Sequence, residues 1–469
     1  MTVCRRHFNI TMNEIISRLI AVRPDERQIK WQELGFTAFF HFGVNTFTNA
    51  EWGTGKEDPL VFDPSGLDTD QWCKAVKAAG IKACILTVKH HDGFCLWDTN
   101  YTGHNVMASK KPVDVAKLFV ESCCKYNLKP GFYLSPWDMH EPTYGSGKAY
   151  DDFFCAQLEE LTTEFGDLYT LWFDGACGEG PNGRVQEYDW ERYFKIIRNN
   201  QPDAVISIMG PDVRWIGNEA GITRESEWSV VSTRLQDRCT IAAASQQADG
   251  IKPISPMDED LGSINALKNE SNLCWYPAEV DVSIRPGWFY HPEEDEKVRS
   301  VENLLHIYES SVGGNAVLLL NIPPDTDGHI NKNDEARLTE FGEKLKEIYR
   351  TNLCINATAN DEDNNDISHI LSDNDDFWIG NRQGAVIELR FDETKKIRRL
   401  VLSEQIRQSQ RIESFEVIAI HGGKHSLVYN GTTVGYKKIC PFDLVSADTI
   451  QINIKSSRDN PTIRFIAAY

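Results

Sequence analysis

Short apolar runs alternate with amphipathic stretches along the first two thirds of the chain. The runs predict strands, because each is nearly all apolar, as expected in a parallel sheet whose two faces are covered. They lie at residues 36–42, 83–88, 129–134, 168–173, 204–209 and 316–321. The amphipathic stretches predict helices at residues 67–79, 113–126, 150–165, 190–199 and 333–349. Two more strands are placed approximately, near residues 226–230 and 278–284, and these repeated units predict a (β/α)8 barrel or a doubly wound sheet.

Polar and aromatic side chains follow the predicted strands, which favours the barrel. They stand at positions 41, 89–92, 135–138, 174, 211–214 and 321. Barrel enzymes assemble their active sites from residues at several strand ends. A doubly wound sheet usually has a Gly-rich phosphate-binding turn after its first strand, and no G-x-G-x-x-G pattern stands there. Asp114 and Asp151 occupy positions where helices are expected to begin.

The periodicity changes from helical to alternating after a polar stretch at residues 351–366. Alternating runs at residues 385–391, 397–402, 414–420, 449–454 and 462–467 predict short antiparallel strands packed as a β-sandwich. We therefore predict a catalytic barrel at residues 1–350 and an all-β sandwich domain at residues 351–469. The second domain is interpreted as a buttress rather than a sugar-binding module, and its Trp378 suits either a core or a sugar platform.

The 469 residues carry a formal net charge of −20, and 41% of them are hydrophobic. This balance excludes a wholly disordered chain and argues against nucleic acid as a partner, since nucleic-acid binding needs clustered Lys and Arg. No apolar run approaches the roughly 20 residues that span a bilayer, so membrane insertion is not expected. The twelve cysteines are scattered and form no C-x-x-C pair. This pattern predicts buried thiols rather than a disulfide framework or a structural zinc site.

The N-terminus has a basic start without an apolar segment after it, so no signal peptide is visible. By sequence the protein is cytoplasmic, or periplasmic or secreted if a signal has been trimmed. Localisation is therefore open, and so is the oligomeric state.

The chemistry at the strand ends rests on carboxylates, histidines and tryptophans. No cofactor is predicted, because the chain has no Walker loop, no H-E-x-x-H and no G-x-S-x-G. Two carboxylates with aromatic platforms are the groups that glycoside hydrolysis uses. Asp174 follows an apolar strand and is the best candidate for the ionised carboxylate, although an Asp-Gly pair also forms turns. The partner acid is open among Glu219, Glu225, Glu227, Glu279 and Asp281.

The adjacent His90 and His91 admit three interpretations. They could hydrogen-bond sugar hydroxyls, satisfy polar groups in the core, or bind a metal ion. Neighbouring residues of a strand point to opposite sides, and no third ligand has suitable spacing, so no metal site is predicted. A metallohydrolase that uses His41, His90 and His91 remains a rival function.

Several segments resemble the glycoside hydrolase family 29 α-L-fucosidases, over roughly residues 30–350. They are His41-Phe-Gly, Glu51-Trp52, Lys89-His-His-Asp-Gly-Phe94, Phe132-Tyr-Leu-Ser135, Leu171-Trp-Phe-Asp-Gly175, Ser283-Ile-Arg-Pro-Gly-Trp-Phe-Tyr290 and Leu320-Asn-Ile-Pro-Pro324. The motifs follow the family's order and fall at the predicted strand ends. The resemblance implies a retaining exo-glycosidase that releases α-L-fucose from fucosylated oligosaccharides or glycans by double displacement.

The resemblance also implies roles for individual residues. Asp174 would be the nucleophile and Glu219 the acid/base. The fucose hydroxyls and ring would be held by His41, Glu51, Trp52, His90, His91, Tyr133 and Trp172. Trp288 would pack on the face of the sugar that carries the C5 methyl group.

The segment at residues 210–219 resembles the subfamily that prefers α-1,3/1,4-linked fucose on branched glycans. An apolar pocket rejects an added hydroxyl group only weakly, so minor β-D-galactosidase activity is expected as well. The alternative function is a catalytically silent carbohydrate-binding protein on a glycosidase scaffold. Eight of the twelve tryptophans stand at or after predicted strand ends, at positions 52, 97, 137, 172, 215, 228, 275 and 288. This placement favours a glycan ligand.

Overall fold

The structure is a computed structural model that describes residues 11–246 and 256–469. The helices are α1 (Met12–Ala21), α2 (Glu26–Gln32), α3 (Val44–Thr48), α4 (Thr69–Ala78), α5 (Val115–Lys125), α6 (Lys148–Glu164), α7 (Trp190–Asn200), α8 (Arg238–Ser245), α9 (Ile264–Leu267), α10 (Val301–Ser311) and α11 (Lys332–Tyr349). The strands of the same part of the chain are β1 (Phe36–Phe40), β2 (Ala83–Lys89), β3 (Lys129–Leu134), β4 (Thr170–Phe173), β5 (Val205–Ile208), β6 (Arg214–Trp215), β7 (Val230–Ser232), β8 (Leu273–Trp275), β9 (Ala278–Ser283) and β10 (Ala316–Asn321).

Eight of these strands form one parallel sheet in the order β5-β4-β3-β2-β1-β10-β9-β6. A parallel bridge between Ser207 and Val213 joins its two edges, where the Ile208 N–H donates to the Val213 carbonyl oxygen at 2.9 Å. The sheet therefore closes, and helices flank its strands. This confirms the predicted TIM-like barrel.

One predicted strand differs from the structure. The sixth barrel strand is β6, whereas the chain near residues 226–230 leads into β7, which pairs antiparallel with β8 outside the barrel. The apolar pattern around residue 230 misled the prediction because it serves a separate small core that contains Trp228 and Val231. Asp114 caps α5 and Asp151 stands in the first turn of α6, so both lie at helix starts as predicted; Asp151 is buried there and accepts a hydrogen bond from the Tyr193 hydroxyl.

The connection from β5 to β6 is unusually tight for a barrel. Only residues 209–213 separate the two strands, and Ile208 has a φ of +68°, in the left-handed region. A side chain at Gly210 would place its Cβ 2.3 Å from the Ile206 carbonyl oxygen, so only glycine fits the loop. The loop turns the chain at the cavity described below, which Ile208 lines.

Packing of helices on strands explains the barrel's apolar pattern. All residues of β1 and β2 are buried, and Phe40 meets Trp72 of α4 and Phe119 of α5 at ring-centroid distances of 5.4 and 6.0 Å. Inside the barrel, Phe39 and Trp172 form part of an aromatic layer at its carboxyl-terminal end, with ring centroids 5.3 Å apart. This layer becomes the floor of the site.

The C-terminal strands are β11 (Thr358–Asp361), β12 (Trp378–Ile379), β13 (Val386–Ser403), β14 (Ile412–His421), β15 (Lys424–Gly431), β16 (Lys438–Ser457), β17 (Thr462–Ile463) and β18 (Phe465–Ala468). They form an antiparallel sheet in the order β11-β13-β16-β14-β15, with β18 paired to β13, and a small β12-β17 sheet. Trp378 is 5% exposed and belongs to this domain's own core. Its position fits the core interpretation rather than a sugar platform.

Within residues 11–246 and 256–469, no helix is long and apolar enough to cross a membrane. The cysteines of this part of the chain are free thiols, and most of them are buried. Burial raises the pKa of several of them, Cys354 and Cys440 to about 12. They act as small hydrophobic residues, in keeping with the sequence pattern.

Candidate active site

A cavity of about 710 Å³, including space open to solvent, lies at the carboxyl-terminal ends of the barrel strands. All ten predicted site residues line it: His41, Glu51, Trp52, His90, His91, Tyr133, Trp172, Asp174, Glu219 and Trp288. The remaining lining residues are Phe39, Gly175, Ala176, Ile208, Trp215, Ser245 and Asp281. Side chains 247 positions apart in sequence therefore meet in one pocket, because the strands of the barrel end on the same rim.

Asp174 follows β4 directly, so a buried strand delivers its carboxylate to the cavity. Its Oδ2 atom accepts a hydrogen bond from the Tyr133 hydroxyl at 3.0 Å and lies 3.7 Å from Nε2 of His91. Its Oδ1 atom accepts the Ala176 N–H at 2.8 Å. The bond to Ala176 is the turn-forming contact that the Asp-Gly pair of the sequence suggested. The carboxylate thus closes a turn and also faces the cavity.

Glu219 lies on the loop that follows β6, at the mouth of the cavity. The residue as a whole is exposed, yet it lines the cavity and its carboxyl group interacts with Trp288. Burial there raises the pKa of this carboxyl, and the negative charges of Asp174 and Glu51 add to the rise, while a hydrogen bond from Trp288 opposes it. A raised pKa favours the protonated form, which is the form a general acid needs.

The other carboxyl groups considered as the acid have different surroundings. Glu227 is buried and ion-paired with Arg214 and with Arg224, the latter at 3.1 Å, and does not line the cavity. Glu225 is exposed outside the cavity. Glu279 and Asp281 lie on β9 inside the barrel. Of these four residues, only Asp281 lines the cavity.

A neutral polar side chain lies against Nδ1 of each of the three histidines, and for His90 it is Nδ2 of Asn45 at 3.4 Å. Nδ1 of His41 lies 2.8 Å from Oδ1 of Asn321, and Nδ1 of His91 lies 2.7 Å from the Ser135 hydroxyl. Burial lowers the pKa of His41 to about 4, and it also lowers the pKa values of His90 and His91, where neighbouring imidazoles contribute at His90. Neutral imidazoles can both donate and accept hydrogen bonds, as sugar hydroxyl groups require.

His90 and His91 both reach the cavity although they are adjacent in sequence. Strand β2 ends at Lys89, and its pairing with β3 shifts register between Thr87 and Lys89. The two histidines therefore stand beyond regular strand geometry, with ring centroids 4.2 Å apart. The residues described by the structure contain no group of three or more His, Cys, Asp or Glu side chains able to hold a metal ion.

Glu51 is fixed by a network that the sequence did not reveal. Its carboxylate accepts the backbone N–H groups of Trp288 at 3.0 and 3.1 Å and of Phe289 at 3.2 Å. Nε2 of His291 lies 2.7 Å from Oε1 of Glu51, and Nδ1 of His291 lies 2.7 Å from Oδ1 of Asn49. No motif pointed to His291, because its role depends on two segments that are distant in sequence.

Aromatic rings enclose the cavity. Tyr133 stacks on Trp172 with ring centroids 5.2 Å apart, and Trp288 lies 5.2 Å from His41. Trp52 is 54% exposed and packs edge-on against Trp137 at 5.4 Å. Of the eight tryptophans near strand ends, four line the cavity, namely Trp52, Trp172, Trp215 and Trp288. Trp97, Trp228 and Trp275 are buried elsewhere. The positions of the tryptophans in the sequence therefore overestimated how many of them line the cavity.

Comparison with known proteins identifies the family. The family model described as Alpha-L-fucosidase matches residues 59–348. The protein Alpha-L-fucosidase 1 of Arabidopsis thaliana is 37% identical over 464 residues, which cover 95% of this chain and 87% of that protein. The chain belongs to the α-L-fucosidase family.

Solved structures agree with this membership. A putative α-L-fucosidase from Bacteroides ovatus has a TM-score of 0.88 and 41% identity, and the alignment covers 98% of this chain and 76% of that one. A Ruminococcus gnavus GH29 fucosidase in complex with fucose has a TM-score of 0.81 and 30% identity, with 96% and 95% covered. The predictions of a glycoside hydrolase of the α-L-fucosidase class and of its fold are thereby confirmed.

Proposed function

We propose that the protein is a retaining exo-α-L-fucosidase in which Asp174 is the nucleophile and Glu219 the general acid/base. The observation that carries the proposal is the placement of these two carboxyl groups in one cavity, in unlike surroundings. Asp174 is hydrogen-bonded by Tyr133 and Ala176, whereas the pKa of Glu219 is raised by burial. Carboxyl groups in unlike environments divide the roles of nucleophile and acid in this way.

The first step breaks the bond between the anomeric carbon and the glycosidic oxygen. Glu219 gives its proton to the departing oxygen while a carboxylate oxygen of Asp174 bonds to the anomeric carbon, which forms a fucosyl ester. In the second step Glu219, now ionised, takes a proton from water, and the water oxygen displaces Asp174 from the sugar. A retaining mechanism of this kind requires the two carboxyl groups to lie about 5–5.5 Å apart.

The remaining lining residues hold the sugar. We assign the hydroxyl groups to His41, His90, His91 and Glu51, and the ring to Tyr133, Trp172 and Trp52. Trp288 packs against the C5 methyl group. The similarity to a structure that contains fucose supports a fucosylated glycan as the substrate.

Branched glycans with α-1,3- or α-1,4-linked fucose are the proposed natural substrates. This preference rests on the resemblance of residues 210–219 to that subfamily. The test compares kcat/KM for an aryl α-L-fucoside with kcat/KM for Lewis-type trisaccharides that carry either linkage. Fast aryl-fucoside hydrolysis with no preference for the branched trisaccharides contradicts the proposed linkage preference.

Stereochemistry tests the double displacement separately. Proton NMR of the first product formed from an aryl α-L-fucoside should show α-L-fucose before mutarotation, since two inversions restore the configuration. A β-anomer as the first product rules out the covalent route, whatever the linkage preference.

A minor β-D-galactosidase activity is part of the proposal, because galactose shares with fucose an axial hydroxyl group at C4, and an apolar pocket rejects an added hydroxyl group only weakly. Turnover of an aryl β-D-galactoside should be slow but measurable in a preparation with ample fucosidase activity. Undetectable turnover would mean that the pocket around the methyl group is stricter than proposed.

A further inference from the structure

Two buried carboxyl groups stand on one strand at the cavity, and one of them, Asp281, lines it. Glu279 and Asp281 are two positions apart on β9, so their side chains leave the same face of the strand, toward the barrel interior. Each accepts a hydrogen bond from the indole N–H of a cavity-lining tryptophan. Oε1 of Glu279 accepts Nε1–H of Trp172 at 2.7 Å, and Oδ1 of Asp281 accepts Nε1–H of Trp215 at 2.8 Å.

Glu279 has little other hydrogen bonding to account for its burial. The residue is 1% exposed, and its Oε2 atom has no hydrogen-bond partner among the described residues. Burying a polar group with incomplete hydrogen bonding costs free energy, and an apolar side chain of similar size would avoid that cost. The bond to Trp172 is therefore what this carboxyl group contributes to the barrel.

The indole of Trp172 stacks on Tyr133 and meets Phe39 edge-on. Its hydrogen bond from Nε1 to Glu279 is directional, so it favours one plane of the ring. Without an acceptor at residue 279, both the buried indole N–H and the orientation of the cavity floor would be unsupported.

Asp281 accepts the indole N–H of Trp215, as Glu279 does that of Trp172. This second bond lies on the side of the cavity where Glu219 lies. Trp215 belongs to the short strand β6, four residues before Glu219, with Ile216, Gly217 and Asn218 between them. Burial raises the pKa of Asp281 well above its ordinary value, and the charges of Glu219 and Glu279 add to the rise. The hydrogen bond to Oδ1 of Asp281 holds the indole of Trp215 beside the loop that carries the proposed acid.

We propose that Glu279 and Asp281 are positioning residues that fix the indole planes of Trp172 and Trp215 and thereby set the shape of the sugar pocket. This inference rests on the proposed function, because it takes Trp172 to contact the sugar. Neither residue is proposed as the catalytic acid, since Trp172 separates Glu279 from the cavity and Asp281 is committed to Trp215.

Matched substitutions at residue 279 test the proposal. Glu279→Gln keeps an oxygen that accepts the indole N–H, whereas Glu279→Met keeps the length of the side chain and removes the acceptor. We expect kcat/KM for an aryl α-L-fucoside to stay within about threefold of wild type in Glu279→Gln and to fall about tenfold or more in Glu279→Met, with a matching rise in the inhibition constant of free fucose.

A double-mutant cycle shows whether Glu279 acts through the indole N–H. Trp172→Phe retains an aromatic face but has no N–H, so the change from Glu279 to Met should have little effect on kcat/KM in that background. An equal fall in both backgrounds would overturn the proposal. So would an inactive but folded Glu279→Gln variant, because that result would give the carboxyl group a chemical role of its own.

The pair formed by Trp97 and Glu160 is the control for general damage. Glu160 of α6 accepts the indole N–H of Trp97 at 3.0 Å, and neither residue lines the cavity. Glu160→Gln should leave the inhibition constant of fucose unchanged even if thermal stability falls. Kinetics are measured well below the melting temperature of each variant, so that a fall in activity reports the site and not unfolding.

The same comparison applies to Asp281, with Asp281→Asn expected to retain clearly more kcat/KM than Asp281→Leu. Equal values in the two folded variants would remove Asp281 from the proposal. Trp172→Ala separates this inference from the proposed function. If that variant binds fucose as wild type does, the assigned sugar contact is wrong. If only the Glu279 and Asp281 predictions fail, the contact stands and the positioning role does not.

Discussion

Two buried glutamates, one in each part of the molecule, have the same raised pKa and opposite surroundings. Burial raises the pKa of Glu279 in the barrel and of Glu404 in the C-terminal part to about 7. Glu404 accepts three backbone N–H groups, from Arg411 at 2.7 Å, Ile412 at 2.9 Å and Gly435 at 2.7 Å. Glu279 accepts one hydrogen bond, from a tryptophan that lines the cavity.

The comparison shows that a shifted pKa alone does not mark a functional site. Glu404 provides acceptors for three backbone N–H groups that would otherwise have no partner, and this role is structural. Glu279 accepts a single hydrogen bond, and its Oε2 atom has no partner among the described residues. The number of hydrogen bonds that each carboxyl group accepts, rather than the size of its pKa shift, distinguishes Glu404 from Glu279.

The largest expected effect is on activity, at Asp174. Asp174→Gly removes the proposed nucleophile, and kcat for an aryl α-L-fucoside should fall about 10³-fold or more. Azide should restore turnover, because it can enter the space left by the carboxylate and attack the sugar. A folded Asp174→Gly variant with more than a few per cent of wild-type activity would exclude Asp174 as nucleophile.

Glu219→Ala comes next and should act selectively. Substrates with poor leaving groups should lose about 10²-fold or more in kcat, whereas aryl fucosides with good leaving groups should lose much less, since they depart without a proton. Kinetics over a series of leaving groups measure this. If Glu279→Ala or Glu227→Ala gives the selective pattern instead, the acid is assigned to the wrong residue.

Substitution of Glu404 tests the structural side of the comparison. Glu404→Leu leaves three buried backbone N–H groups without an acceptor, and the free energy of unfolding should fall by about 3 kcal/mol or more. Denaturant unfolding measures this loss. At temperatures where the variant is folded, its KM should equal that of wild type, and a changed KM would mean that this region supports the cavity after all.

The last prediction concerns the pH dependence of stability. Because the folded-state pKa values of Glu279 and Glu404 lie near 7, above the ordinary value of 4.5, the folded protein binds more protons than the unfolded chain between these limits. Each group's contribution is full below about pH 4.5 and is lost as pH rises through about 7. The change should reach about 3 kcal/mol for each residue.

Glu279→Gln and Glu404→Gln measure this effect. Relative to wild type, either variant should gain unfolding free energy between pH 5 and pH 8, because a glutamine has no proton to lose. Parallel pH profiles of a variant and wild type would show that the buried carboxyl group stays in one protonation state throughout this range. Glu279 and Glu404 would then differ only in the hydrogen bonds that they accept.

Much of the barrel could be predicted from the sequence because its strands are covered on both faces. Continuous apolar runs marked β3 and β10 with the bounds seen in the structure. Strand β6 was missed because it has two residues, one of them Arg214, and so has no hydrophobic pattern. The loop at Ile208 could not be foreseen, since its backbone conformation follows from tight closure of the barrel.

The sequence by itself determined the family and the set of residues at the strand ends, since parallel strands bring their carboxyl ends to one rim whatever the loops contain. Only the tertiary structure decided how those residues are partnered. His291 reaches Glu51, and Glu279 reaches Trp172, across 240 and 107 positions of the chain. Hydrogen bonds depend on distance and angle in space, and these are set by the packing of the whole barrel.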